Sequence, residues 1–405
     1  MKKKILHVVG GEFSNGAFQG ACILHNELIN QGIDSKILND VFKDKFEKEE
    51  NIISINNNFF SQIKSKIFII VEKFLKSIFL HSPRETFTLG ILGNDITQTS
   101  VYKQADIIHI HWLSQGFIKL SSLKKIKKPI IWTMRDMWAF TGGSHYTMDF
   151  KKYEKSFLSK MIKNYKKKNY EKKIQFVAVS DWIKKEALNS FILKNANVIK
   201  IDNNISTKNF KQLDPEKAKS ILKISTKKQI ILYGAQNPQS PRKGWEIFIE
   251  SLRKIDKSKF FLLIFGNFWS EKIIDKIGIE YKSMGYIKEK SLLNTVYSAG
   301  DFFLATSIQD AWPKTFAEAM YCGVPVVCFN STSISEIVDH KKNGFVVDSL
   351  NSEALLEGID WISEELKKND LIKKDAIKKI SNYNPKIIAN KYIKLYKKIS
   401  DEQNL

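Results

Sequence analysis

The chain has 405 residues, 43% hydrophobic and 12% aromatic, which suffices for the cores of two or three domains and excludes a disordered polymer. Its 65 Lys+Arg against 43 Asp+Glu leave a net charge of +22, which favours anionic partners such as a phosphorylated substrate, an acidic membrane surface or nucleic acid. Three cysteines (Cys22, Cys322, Cys328) and no C-x-x-C pair exclude a disulfide framework and a cysteine zinc site, and they fit a reducing cytosol.

Residues 5–9 are a short β-branched run closed by Gly10-Gly11, which predicts a buried parallel strand. That run is too short for a signal peptide despite the lysines before it, and no later stretch reaches the ~20 apolar residues that span a bilayer. After Asn15-Gly16 the pattern predicts a helix over 17–31 closed by Gly32, with His25 packed inside it. Residues 41–105 break the alternation. Phe59, Phe60, Ile63, Ile67, Ile70, Phe74, Ile78 and Phe79 stand among lysines there, as in a basic amphipathic helix. Such a helix either packs on the core, the commoner outcome, or rests on a membrane. Strands follow at 107–111, 129–133 and 176–179, with a Lys-rich helix over 153–173. His109 and His111 alternate on the first of these strands and point the same way. Two histidines at that spacing could ligate a metal, but no carboxylate or cysteine cluster accompanies them, so they read as core or cleft-lining residues.

The polar span 202–228 reads as a linker, with two α/β units joined at about residue 205. The alternation restarts with a strand at 229–233, a Gly/Pro-rich loop and a helix over 245–253. Strands at 260–265, 301–305 and 324–329 follow, and Phe316 and Met320 form a core-facing i, i+4 pair. A closing helix covers 392–399. Alternating strands and helices imply parallel sheets. The expected division is 1–200, 201–380, and a C-terminal helix in 381–405 returning toward the first domain.

Two loops carry the chemistry. The first is Gly234-Ala235-Gln236-Asn237-Pro238-Gln239-Ser240-Pro241-Arg242-Lys243-Gly244, between a strand and a helix. Its cations could neutralise a diphosphate leaving group, and the plainer reading is a solvated loop. The second runs from Ser307 through Asp310, Trp312, Pro313, Lys314 and Thr315 into a helix carrying Glu318 and ending at Gly323-Val324-Pro325. It follows the carboxyl end of a strand, where open α/β sheets bind ligands, and a helix N-terminus there suits a phosphate or sugar hydroxyl. The plainer reading is a helix-stabilising aspartate and a surface glutamate.

Together these segments resemble the C-terminal half of the family 4 retaining glycosyltransferases, which have the GT-B fold: two Rossmann-like domains with parallel sheets facing a central cleft. Asp106-Ile107-Ile108-His109-Ile110-His111-Trp112, the run from Trp132 to Tyr146 and Val177-Ala178-Val179-Ser180-Asp181-Trp182 resemble a bacterial polysaccharide-biosynthesis branch of that family. The resemblance implies Lys243 and Arg242 at the donor diphosphate, Asp310 at the donor sugar hydroxyls and Glu318 at the nucleotide ribose. It places the backbone of Trp312, Pro313, Lys314 and Thr315 against sugar and phosphate, Gly16 close to the diphosphate and acceptor, and His145 in the cleft. Arg135 stands near the reacting carbon where many members have His, and arginine cannot act as a base. Asp310 is one methylene shorter than the usual Glu, and Ala235 stands near where many members have Arg.

The implied reaction transfers a sugar from a UDP- or GDP-linked donor to a glycan or lipid-linked acceptor with retention, without metal or cofactor. It would take place in the cytoplasm or on the inner membrane face, with an anionic membrane surface as a further partner. A dehydrogenase would need G-x-G-x-x-G after the first strand, and the spacing of Gly10, Gly11 and Gly16 does not supply it. A nucleic-acid-binding protein would need a finger, helix-turn-helix or aromatic-basic motif, which the sequence lacks.

Overall fold

The computed structural model describes residues 3–12, 15–41, 51–79, 86–113, 116–170 and 174–402, with the side chains of Lys76, Ile78 and Phe79 outside that description. The chain divides into two units, 1–204 with 385–405, and 205–384.

Unit 1 is built on seven parallel strands, β1 (Lys4–Val9), β2 (Asp34–Asn39), β3 (Ile52–Ser54), β4 (Ile107–Trp112), β5 (Ile130–Met134), β6 (Ile174–Ala178) and β7 (Val198–Lys200), in the order β3-β2-β1-β4-β5-β6-β7. The order reverses between β1 and β4, so a crevice opens beyond their carboxyl ends. Helices α1 (Gly16–Asn30), α2 (Phe59–Phe79), α3 (Ser100–Gln104), α4 (Lys151–Glu154), α5 (Phe157–Asn169) and α6 (Asp181–Asn189) connect the strands. The side chain of Asn15 accepts from Ala17 N and starts α1, and Gly32 with φ 75° follows its end. The Lys-rich helix expected over 153–173 is instead two helices. Ser156 caps α5 by accepting from Ser159 N, which restarts the chain after α4, and 171–173 lie outside the described residues.

Unit 2 has six parallel strands, β8 (Gln229–Gly234), β9 (Phe260–Phe265), β10 (Tyr281–Ser283), β11 (Phe302–Ala305), β12 (Val326–Phe329) and β13 (Gly344–Val347), in the order β10-β9-β8-β11-β12-β13. Its reversal falls between β8 and β11. Seven helices belong to it: α7 (Pro215–Ile221), α8 (Trp245–Lys254), α9 (Lys272–Ile277), α10 (Lys290–Ala299), α11 (Lys314–Tyr321), α12 (Ser352–Lys368) and α13 (Leu371–Ser381). Ile231, Leu262, Ile264, Phe302 and Leu304 of its sheet pack with Phe248 and Leu252 of α8 and Leu355 and Ile359 of α12. The last helix, α14 (Pro385–Asp401), returns to unit 1, where Ile388, Tyr392, Leu395 and Tyr396 bury against Ile5, Ile107, Ile131 and Val177.

Two expectations need correction. Residues 205–228 are part of unit 2 and not a linker. Phe210 and Ala218 are buried, and α7 starts at Pro215 with Asp214 accepting from Lys217 N. The apolar residues there are too sparse to give a period, although Asp-Pro is a start signal. The commoner fate for 59–79, core packing, holds for one face only, where Leu75 packs against Phe87 and Phe150 and where Phe68, Ile69 and Val71 are half-buried. Phe59, Phe60, Ile63, Ile67, Ile70 and Phe74 are exposed, while Ser65 and Glu72 are buried.

Candidate functional site

The switch-point crevice of unit 2 gathers most of the residues singled out above. The loop after β8 descends through Pro241–Lys243, a single turn of helix, to Gly244 in the left-handed region at φ 67°. A Cβ at Gly244 would overlap the Thr306 carbonyl, so no other residue lets this loop lie against the one that follows β11. Backbone bonds tie the loops: Ile308 N donates to Arg242 O at 2.7 Å, Gln309 N to the same oxygen at 3.2 Å, and Thr306 Oγ1 to Lys243 O at 2.8 Å.

On this frame Lys243 Nζ meets Asp310 Oδ2 at 2.5 Å, with both side chains almost covered. Asp310 is held on every side. Its N–H donates to Thr332 Oγ1 at 3.2 Å, its carbonyl accepts from Ser333 Oγ at 2.8 Å, and its Oδ1 accepts from Trp312 N at 3.2 Å. Thr332 has φ 50°, a strained conformation for a β-branched residue, and strain of this kind persists only where the surroundings hold it.

Helix α11 begins at this loop with Pro313 at its cap and no side-chain cap bond. The sequence allowed Glu318 to be a surface residue, but it is 4% exposed. Tyr297 OH of α10 donates to its Oε2 at 3.2 Å, and Lys314 Nζ lies 3.7 Å from Oε1, which has no hydrogen-bond partner and is buried. Burial and the Glu318 carboxylate hold the Tyr297 hydroxyl well above its ordinary pKa, so it stays a donor. Arg242, Lys243, Asp310, Trp312, Pro313, Lys314, Thr315 and Glu318 thus share one neighbourhood. Sequence reasoning missed Tyr297, Thr332 and Ser333. A lone tyrosine on a helix and a Ser/Thr pair in a loop carry no signal until the fold places them.

Unit 1 holds the remaining three. Gly16 opens α1 with open space where a Cβ would stand. His145 is buried. Its Nδ1 lies 2.6 Å from Asp136 Oδ2, which also accepts from Trp112 Nε1 at 2.8 Å, and its Nε2 lies 3.0 Å from Thr88 Oγ1.

Arg135 is tied to a histidine cluster. Its Nη1 donates to Asn203 Oδ1 at 2.6 Å, and its Nε and Nη2 reach His111 Nδ1 at 3.3 and 3.2 Å. That donation leaves His111 with its proton on Nε2, 2.7 Å from His7 Nδ1. The His7 proton then sits on Nε2, which is buried without a partner. His109 lies against His111 with ring centroids 4.0 Å apart. Its nitrogens meet Tyr396 OH at 2.7 Å and Thr133 Oγ1 at 2.8 Å. His109 and His111 therefore do face the same way, and β1 adds His7, which the sequence reading missed.

Among the described residues these three are the group whose ligand atoms approach within 4.8 Å of one another. Five of their six nitrogens are engaged in the bonds above, all but His7 Nε2, and the Arg135 guanidinium opposes a cation. Burial lowers Arg135 only to about 10, so it stays charged at neutral pH. The cluster is a neutral hydrogen-bonded core, poorly suited to a metal.

Two Rossmann-like parallel-sheet units make up the GT-B fold. Residues 214–379, most of unit 2, match the family described as Glycosyl transferases group 1. The chain is 23% identical over 334 residues to an uncharacterized 41.2 kDa protein in the cps region of Klebsiella pneumoniae, covering 80% of this chain and 87% of that one. It is 24% identical over 157 residues to the N,N'-diacetylbacillosaminyl-diphospho-undecaprenol alpha-1,3-N-acetylgalactosaminyltransferase of Campylobacter jejuni, covering 39% of this chain and 42% of that enzyme. Among solved structures, Anabaena Alr3699/HepE in complex with UDP-glucose is similar in fold, with TM-score 0.68 and 16% identity over 98% of this chain and 99% of that one.

Proposed function

We propose that this protein is a retaining glycosyltransferase that moves a sugar from a UDP- or GDP-linked donor to a glycan or lipid-linked acceptor in the synthesis of a bacterial cell-surface polysaccharide. The observation that carries the reading is the covered Lys243–Asp310 pair at the unit 2 switch point, beside the uncapped start of α11 and the buried Glu318. The UDP-glucose bound by the Anabaena protein and the lipid-linked acceptor in the name of the Campylobacter enzyme support the donor and acceptor classes.

In this reading Lys243 and Arg242 neutralise the diphosphate as it leaves, Asp310 accepts hydrogen bonds from the donor sugar hydroxyls, and Glu318 accepts from the ribose. The backbone from Trp312 to Thr315 lies against sugar and phosphate. Arg135 stands near the reacting carbon, Gly16 lets the backbone come close to the diphosphate and acceptor, and His145 lines the cleft. The acceptor hydroxyl oxygen bonds to the anomeric carbon on the face from which the diphosphate departs. The carbon–oxygen bond to phosphate breaks, and the hydroxyl proton passes to the leaving diphosphate. The protein contributes orientation and a preorganised field, and the reading requires no metal at the diphosphate because two cations stand there.

A panel of UDP- and GDP-sugars with glycan and lipid-linked acceptors, run in excess chelator, tests it. The expected result is transfer from one donor class with the anomeric configuration of the donor kept in the product. An inverted product, or activity lost in chelator and regained with manganese or magnesium, overturns the mechanism.

A further inference from the structure

Helix α2 packs Leu75 on the core of unit 1 with Phe68, Ile69 and Val71 half-buried, yet it carries a second apolar stripe that faces solvent. Its fully buried described positions include Ser65 and Glu72. Ser65 Oγ donates to Asn56 Oδ1 at 2.6 Å, and Gly90 N donates to Glu72 Oε1 at 3.1 Å, so polar bonds fasten the helix to unit 1. The face turned away carries Phe59, Phe60, Ile63, Ile67, Ile70 and Phe74, with Phe60 82% and Phe74 63% exposed. At ~100° per residue these six positions fall within an arc of about 100°, making one continuous stripe along the helix. A soluble helix buries such a stripe, and a contiguous apolar patch of this kind marks an interaction site.

The borders of the stripe name the partner. Lys64 lies along one edge and Lys66 and Lys73 along the other, all exposed. The single acid of the helix, Glu72, points inward. No described helix is long and apolar enough to cross a membrane. An apolar stripe edged by lysines, on a chain of net charge +22, matches a helix lying in the plane of an anionic bilayer, with rings at the headgroup boundary and ammonium groups among the phosphates. We infer that α2 is the membrane-docking element of this protein and that its partner is the anionic lipid surface.

The inference stands on unit 1 alone. Its test contains no sugar donor or acceptor, so its failure and that of the glycosyl-transfer reading are separable. The full chain is co-sedimented with vesicles of mixed phosphatidylglycerol and phosphatidylcholine, and with phosphatidylcholine alone. It is expected to bind the former and to bind the latter, or the former in high salt, at least about tenfold more weakly. The triple variant Phe60→Ser, Ile67→Ser, Phe74→Ser changes exposed side chains. It is expected to melt with the parent while losing roughly tenfold or more of its vesicle binding. Lys64→Glu with Lys73→Glu should weaken binding to anionic vesicles alone. Three results overturn the inference: parent-like binding by the serine variant, no binding of the parent to anionic vesicles at low salt, or a solution dimer that the serine variant splits, which would make a second copy the partner.

Discussion

Lys243 and Asp310 stand 67 positions apart in sequence, and their side chains meet at 2.5 Å, each almost covered by protein. The contact joins the loop after β8 to the loop after β11 across the switch point. It also keeps a cation at the crevice that is already partnered and oriented before any ligand arrives.

Replacing that cation tests its role at the leaving group. Lys243→Ala is expected to lower turnover by roughly two orders of magnitude, the usual effect of removing one preorganised electrostatic stabiliser. Circular dichroism should show the fold retained. Sugar transfer at the parent rate would remove Lys243 from the machinery.

The two carboxylates should separate by calorimetry. Glu318→Ala is expected to weaken nucleoside diphosphate binding itself, because Glu318 is fixed inside α11 by Tyr297. Asp310→Ala should leave nucleoside diphosphate binding nearly intact and lower sugar transfer, since Asp310 lies in the loop against Lys243. Equal loss of affinity in both variants contradicts the division.

Gly244→Ala probes the approach of the two loops. The added methyl meets the Thr306 carbonyl, and φ 67° disfavours any side chain there. The loop must move, so we expect destabilisation of about 1–3 kcal/mol and loss of the Thr306–Lys243 bond, read as a lower melting temperature and reduced transfer. Parent-like values for both would mean the loops are slack.

Unit 1 should be acid-labile. Burial holds His7, His109 and His111 well below 6.5, with Arg135 opposing their protonation, and burial brings His25 down to about 4. Below pH 6.5 the unfolded chain therefore binds more protons at these four histidines than the folded one, and Glu72, whose carboxyl burial pushes up to about 7, offsets only one of them. Stability is full above that pH and is lost as pH falls from 6.5 toward 4, on the order of a few kcal/mol. His7→Phe, which removes one titrating group, should flatten the fall in urea midpoint over that window. A midpoint independent of pH from 7 to 4 would contradict the neutral cluster. Tyr392 and Tyr396, the other titratable groups packed on it, have their hydroxyls pushed up and stay neutral throughout.

What the sequence determined by itself was local and periodic. The apolar runs of β1, β4, β8, β9 and β11 declare buried parallel strands, because a strand covered on both faces needs no polar alternation. The loops at 234–244 and 307–315 are legible as ligand loops because each follows such a strand and leads into a helix. Tertiary structure alone decided what those residues touch. The Lys243–Asp310 contact exists because the strand order places β8 beside β11. Tyr297 reaches Glu318 because α10 packs near α11, and His7 joins His111 because β1 pairs with β4. None of these pairs has a sequence spacing that betrays it. The same holds for α2. Its hydrophobic spacing is plain in the sequence, but which side faces the protein depends on where Asn56 and Gly90 lie, and only the fold shows Ser65 and Glu72 turned in and Phe59, Phe60 and Phe74 turned out.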